Sequence, residues 1–110
     1  MAKEIRKITR SKFIEDDLTE IFQYGVETFG KMFADIFLEE IIHNINGLSF
    51  QYLIYPECKY LETKNQIYRN IILGKYLIIY RIKAEKIEVL RAFHGSQSPK
   101  KIKKIRGIRL

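Results

Sequence analysis

The chain has 110 residues, of which 46% are apolar, and this length predicts one domain with a modest core. Charged residues make up 30%, a fraction that excludes both a disordered and a membrane-embedded protein. We expect a cytoplasmic protein, because no apolar run could span a bilayer and no hydrophobic signal segment begins the chain.

The first half of the chain begins with a predicted short strand over residues 3–9. Ser11 is the expected N-cap of a first helix, because its hydroxyl can accept a free first-turn N–H. That helix presents one apolar face, formed by Ile14, Leu18, Ile21 and Phe22. Gly25 and Gly30 are expected to bracket a break.

A second helix follows, with apolar residues at steps of one and three between Phe33 and Ile45. Gly47 is its expected C-cap. The two helices have a short link and therefore predict a helical hairpin. Residues 48–66 include Pro56 and are expected to form a connecting loop across the molecule.

Three strands are predicted next, over residues 67–73, 76–82 and 86–93, which are rich in Ile, Tyr and Val. Gly74-Lys75 fits a two-residue type II′ turn, in which glycine supplies the positive φ. A second tight turn at Ala84-Glu85 places Arg81 opposite Glu88, as a modest exposed ion pair.

This register assigns the strand residues to two faces of a sheet. The first face is mostly apolar and should receive the helical hairpin. Its predicted members are Ile67, Arg69, Ile71, Leu73, Tyr76, Ile78, Tyr80, Ile82, Ile87, Val89, Arg91 and Phe93. The second face has no helices left to cover it, and its predicted members are Tyr68, Asn70, Ile72, Leu77, Ile79, Arg81, Glu88, Leu90, Ala92 and His94.

Four apolar residues, Ile72, Leu77, Ile79 and Leu90, lie together on the second face. An uncovered apolar patch of this kind indicates a partner site. The alternative is that the loop of residues 48–66 or the C-terminal tail covers the patch.

The tail of residues 98–110 follows a predicted single domain of residues 1–97. It contributes much of the net charge of +7, and its residues 99–110 hold six cations and no acid. Isoleucines recur every three residues among these cations, so the tail could dock on the domain or on an acidic partner, hold phosphates, or be solvated. The predicted contacts to the cellular target or to nucleic acid are Lys100, Lys101, Lys103, Lys104 and Arg106.

The predicted fold is α+β, with the order β-α-α-β-β-β and a helical hairpin packed on one face of a mainly antiparallel sheet. This order resembles the RelE/ParE toxin superfamily, and the local sequence supports the resemblance. Residues 68–82 and 87–94 include Gly-Lys-Tyr, Ile-Tyr-Arg-Ile and Ile-Glu-Val-Leu-Arg-Ala-Phe-His, and residues 15–30 are similar to the family's first-helix run. The similarity covers about residues 3 to 97.

The resemblance implies the bacterial toxin of a type II toxin–antitoxin, or plasmid stabilisation, system, neutralised by a cognate antitoxin. We expect the antitoxin to contact the second sheet face, at Ile72, Leu77, Ile79, Arg81 and Leu90. The family contains two kinds of toxin: ParE-like poisons of DNA gyrase, and RelE-like mRNA endonucleases that act on the ribosome. Where the endonucleases carry an arginine that stabilises phosphate charge, this chain has Leu77, which favours the gyrase poison.

The endonuclease remains the alternative, so whether the protein is an enzyme stays open. An endonuclease would use Arg69, Arg91 and His94, with the histidine as general acid or base. The competing interpretation is structural: the arginines bond to backbone carbonyls or to first-helix acids, and His94 packs at a strand end. A small nucleic-acid-binding module is a third interpretation.

The remaining expectations concern cofactors and partners. Cys58 is the only cysteine, so an internal disulfide is excluded and one thiol makes no metal cluster. We expect no cofactor, no metal and no membrane contact. The sequence leaves open whether the protein forms a homodimer.

Overall fold

The computed structural model describes residues 5–110, and its element order confirms the predicted α+β fold. The elements are β1 (Lys7–Arg10), α1 (Ile14–Phe29), α2 (Lys31–Gln51), β2 (Tyr68–Leu73), β3 (Tyr76–Ile82), β4 (Lys86–His94) and α3 (Pro99–Lys103), which continues as a 3-10 turn over Lys104–Gly107. Lys3 and Glu4 of the predicted first strand lie outside the described residues. No helix within residues 5–110 combines the length and apolar character that crossing a membrane requires.

The four strands form one sheet in the order β1-β4-β3-β2. β1 runs parallel to β4, and the other two pairs are antiparallel. Leu73 lies opposite Tyr76, which confirms the two-residue turn, and Gly74 there has a φ of +58°. Lys75 is not among the residues with positive φ, which fits the predicted type II′ turn.

The helical hairpin packs on one face of this sheet. Ile14, Leu18, Ile41 and Ile45 from the two helices are buried in one core cluster with Ile78, Tyr80, Val89 and other strand residues. The predicted break at Gly30 is confirmed, with φ +93° between α1 and α2. The break at Gly25 was wrong: α1 continues through it, where a Cβ would lie only 3.3 Å from the Ala34 Cβ of α2. Gly25 therefore serves close helix packing.

Both predicted helix caps were wrong. α2 does not end at Gly47 but continues to Gln51, because this extension buries Leu48 completely in the core. The connecting segment is correspondingly shorter. Ser11 lies before the helix, which begins at Ile14, and its hydroxyl donates a hydrogen bond to the Leu90 carbonyl and accepts one from the Phe13 N–H. Ser11 thus ties the β1–α1 connection to β4.

β4 contains a bulge that the sequence did not reveal. Tyr80 lies opposite Val89 but its neighbour Ile79 lies opposite Arg91, so Leu90 is an extra residue on β4. Because side chains alternate with a period of two, one extra residue exchanges the faces beyond it. Ala92 therefore packs in the hairpin-side core and Phe93 on the other face, the reverse of the prediction.

The second sheet face is covered by the chain itself, so the expectation of an open face was wrong. Ile102 and Ile105 of the tail form a second core cluster with Tyr68, Ile79 and Leu90, and Ile108 packs against it. Cys58 and Leu61 from the connecting segment complete the cluster. The covering follows from the isoleucine spacing of the tail, which buries one apolar stripe and leaves the cations in solvent.

Candidate functional site

Arg69 is engaged with the protein backbone. Its Nε donates to the Gln66 carbonyl at 3.1 Å, and its Nη1 donates to the carbonyls of Leu53 and Tyr55 at 3.0 Å each. These bonds fasten the segment after α2 to the edge strand β2. The guanidinium therefore fits the structural alternative for this residue.

Arg91 forms a two-pronged ion pair with Asp17 of α1. Its Nε lies 2.7 Å from Oδ2 and its Nη2 lies 3.0 Å from Oδ1. The Ala92 N–H donates to the same carboxylate at 3.0 Å, and Asp17 is only 5% exposed. Bonds to a charged carboxylate in this arrangement are stronger than neutral ones, so the pair links the first helix to β4.

Replacing Arg91 by alanine is expected to destabilise the fold. The Asp17 carboxylate would stay buried with one backbone donor, which costs about 3 kcal/mol in the free energy of unfolding. The measurement is urea denaturation followed by circular dichroism. Arg10→Ala is the matched control, because it breaks an ion pair with an exposed acid, Glu15, and should cost about 0.5 kcal/mol. Equal stability of the two variants would contradict a structural Arg91.

His94 lies exposed at the end of β4. Its Nδ1 lies 2.7 Å from the Ser96 hydroxyl and accepts the Ser96 N–H at 3.1 Å, and its ring meets the Tyr76 ring edge-on at 5.7 Å. His94 thus bonds to the backbone of its own turn, as the structural alternative states. Leu77, on the neighbouring strand, is half-buried against the second core cluster.

The five residues expected to contact the antitoxin do not share an exposed surface. Ile79 and Leu90 are fully buried beneath the tail, and Arg81 is 7% exposed. Ile72 is exposed and Leu77 half-buried; they lie opposite each other on β2 and β3, and both line a groove toward the connecting segment. The antitoxin contacts of Ile72 and Leu77 stay a prediction. Ile79, Arg81 and Leu90 are buried, so the exposed surface expected at these three residues is absent.

Arg81 and Glu88 form the predicted cross-strand pair, but the pair is buried and not exposed. Arg81 Nε lies 2.6 Å from Glu88 Oε1, and Lys86 Nζ lies 3.4 Å from the other carboxylate oxygen. Arg81 also donates from Nη2 to the Ile108 carbonyl at 2.8 Å and from Nη1 to the Tyr68 hydroxyl at 3.3 Å. The pair is buried because the tail covers it, and Arg81 in turn holds the tail in place.

Cys58 is 1% exposed in the cluster beneath the tail. Burial raises the pKa of its thiol to about 11, with smaller contributions from the Glu62 and Glu57 carboxylates. Because the thiolate is the reactive form, this cysteine is a packing residue and not a nucleophile.

A cluster of exposed apolar side chains surrounds the tip of the helical hairpin. Phe29, Met32, Phe33 and Ile36 are each at least half exposed. The Phe33 ring lies 4.9 Å from Phe29 and 6.2 Å from Phe37, which itself lies 5.7 Å from Tyr76. These rings border a groove of about 300 Å³, here called the hairpin groove, which Tyr24, Leu73, Lys75 and His94 also line.

Sequence reasoning did not find the hairpin groove. In α2 the groove is lined by Phe33 and Phe37, which belong to the stripe predicted to pack on the sheet, while Met32 and Ile36 make the helix apolar beyond that stripe. When a helix carries more apolar residues than one sheet can cover, the additional ones indicate a second contact surface.

The cations of the tail lie at the surface. All five residues predicted to contact the target or nucleic acid are exposed: Lys100, Lys101, Lys103, Lys104 and Arg106. Lys100, Lys101 and Lys104 line a cleft of about 480 Å³, here called the basic cleft, with Phe13 and Arg91. Arg106 instead bonds to the Glu62 carbonyl at 3.1 Å and stacks over Tyr68.

Comparisons with known proteins agree with this architecture. The chain is similar over 83% of its length to a solved structure titled "Chromosomal ParDE TA system from P. aeruginosa", with a TM-score of 0.67, 17% identity and 97% of that chain covered. No curated protein sequence matches the chain. A sequence model of the family described as "ParE toxin of type II toxin-antitoxin system, parDE" matches residues 8–99. The chain therefore belongs to the ParE toxin family of type II toxin–antitoxin systems.

Proposed function

We propose that this toxin acts by binding and poisoning bacterial DNA gyrase in the cytoplasm, within a plasmid-stabilisation pair. The observation that carries the proposal is that the two arginines which a ribonuclease site would need are bound by other groups of the protein. Arg69 bonds to three backbone carbonyls and Arg91 to the Asp17 carboxylate. Both guanidinium groups are thus engaged by other groups of the protein, and Leu77 stands where the endonucleases of the superfamily place an arginine.

Phosphate chemistry also needs the participating groups on one surface. Arg69 lies on the edge strand β2 and holds the segment after α2, whereas Arg91 lies on β4 against α1. His94 is bonded to Ser96 at the end of β4. Poisoning through binding requires no such constellation, which supports the gyrase interpretation over the ribosome-dependent mRNA endonuclease.

The antitoxin partner is proposed to cover the hairpin groove with an amphipathic helix. The aromatic side chains around the groove are of the type that is enriched in protein interfaces. An apolar helix face laid into a groove is a common mode of peptide recognition. The groove replaces Ile79, Leu90 and Arg81, which the tail buries, as the main antitoxin contact. A homodimer remains a prediction that oligomeric-state measurements can test.

The proposed target is tested by inducing the toxin in cells without its antitoxin. Total RNA and plasmid DNA are then isolated from the wild type and from a His94→Asn variant. We expect gyrase–DNA cleavage complexes, seen as linear plasmid after detergent and protease treatment, with intact mRNA for both proteins. Codon-linked mRNA cuts that disappear in His94→Asn would instead establish the endonuclease, and harmless induction would favour a nucleic-acid-binding module.

A further inference from the structure

The basic cleft concentrates positive charge between the tail and the start of α1. Its volume is about 480 Å³, and Lys100, Lys101 and Lys104 contribute to its lining. Among the residues that the structure describes, no carboxylate pairs with any of these three lysines. Arg91 also lines the cleft, but Asp17 neutralises its charge. The net charge of the cleft lining therefore comes from the lysines.

The backbone that carries these lysines is held in place. Ile102 is 4% exposed and Ile105 is 2% exposed, so the intervening residues are anchored to the sheet. The Ser98 hydroxyl accepts the Lys101 N–H at 3.3 Å at the start of α3, and Arg81 holds the Ile108 carbonyl after the turn. The three ammonium groups consequently extend from a fixed scaffold, which reduces the ordering cost of binding an anion.

Two aromatic rings, Phe13 in the lining of the cleft and Phe93 close to its cations, are each already in contact with cationic side chains. The Arg91 guanidinium lies 5.1 Å from the centre of the Phe13 ring and 5.5 Å from that of Phe93. Lys12 lies 5.3 Å from the Phe13 ring and Lys101 5.6 Å from the Phe93 ring. Because cations already occupy these rings, the cleft suits phosphates better than exposed bases.

We propose that the basic cleft binds the backbone phosphates of duplex DNA. Lysine is a mobile point charge that contacts phosphate without reading sequence, so the binding is expected to be independent of base order. The choice of duplex DNA rests on the proposed function, because gyrase holds a duplex while the toxin is bound. The cleft then lets the toxin contact the enzyme and its DNA together.

The test is binding of the purified wild-type toxin to a fluorescent 25-base-pair duplex, titrated between 50 and 200 mM salt. Three phosphate contacts predict about a 40-fold loss of affinity over this range, from a log–log slope of about −0.9 per contact. The triple variant Lys100→Gln, Lys101→Gln, Lys104→Gln should lose most of this salt dependence. The matched control Lys7→Gln, Lys64→Gln, Lys83→Gln removes the same charge from exposed residues outside the cleft and should keep the salt dependence.

Three outcomes would overturn the proposal: no binding to the duplex at 50 mM salt, equal losses in the two triple variants, or equal competition by polyglutamate at matched charge. The last would indicate an acidic protein segment as the ligand. The test contains no gyrase, so it is independent of the proposed target. If gyrase is poisoned but the duplex is not bound, only the cleft proposal fails. If the duplex is bound but gyrase is not poisoned, only the gyrase proposal fails.

Discussion

An Ile79→Asp variant is expected to be unfolded or nearly so. Ile79 is completely buried between the sheet and the tail, in contact with the cluster that includes Tyr68, Leu90 and Ile102. The substitution removes core packing worth about 2–5 kcal/mol and places an unpaired charge in an apolar site at a further cost of several kcal/mol. That total approaches the whole stability of a typical domain, about 5–15 kcal/mol.

The matched control is Ile72→Asp, on the same predicted face of the neighbouring strand. Ile72 is 57% exposed, so a charge there stays solvated. Its cost should be about 1 kcal/mol, mainly from the lower strand preference of aspartate. Urea denaturation followed by circular dichroism compares the two variants. Similar stability of both would mean that the tail does not cover the sheet in solution.

A Phe33→Glu variant is expected to escape the antitoxin while remaining folded and toxic. Phe33 is half exposed and lies between Phe29 and Phe37 along the hairpin groove. Loss of a central aromatic anchor costs about 2–4 kcal/mol of binding free energy, which corresponds to about a 30- to 1,000-fold weaker complex. The dissociation constant for the cognate antitoxin is measured by calorimetry, and growth on co-expression reports neutralisation.

Ile54→Glu is the matched control for this prediction. Ile54 is an exposed apolar residue of the connecting segment and does not line the hairpin groove. The control should bind the antitoxin as the wild type does. If Ile54→Glu weakens the complex as much as Phe33→Glu does, the hairpin groove is not the principal antitoxin surface.

The order of the elements was predictable because each carries a local signal. The apolar stripes predict two helices, and the positive φ available to Gly74 permits the tight turn that sets the β2–β3 register. The Arg81–Glu88 pairing also followed from turn geometry. The bulge at Leu90 did not follow, because one inserted residue leaves no mark on an apolar strand yet exchanges the faces of Ala92 and Phe93.

The candidate site was less predictable because it depends on contacts between distant segments. The isoleucine spacing of the tail was visible, but the sequence left open whether that stripe meets the domain, a partner or solvent. The tail packs on the domain and thereby buries Ile79 and Arg81. The ion pair between Arg81 and Glu88, which was predicted to be exposed, is therefore buried. In the same way, the sequence left structural and catalytic alternatives open for Arg69 and Arg91, and the contacts that favour the structural one, with backbone carbonyls and with Asp17, join distant parts of the chain.

The most direct test of the central claim combines the purified toxin with purified gyrase, supercoiled plasmid and ATP. If the toxin acts by binding gyrase and breaks no bonds itself, linear plasmid should accumulate in proportion to toxin and only when gyrase is present. The His94→Asn variant should then act as the wild type does. Added antitoxin should prevent this accumulation. Absence of linear plasmid, together with toxin-dependent cleavage of mRNA on purified ribosomes, would contradict the account.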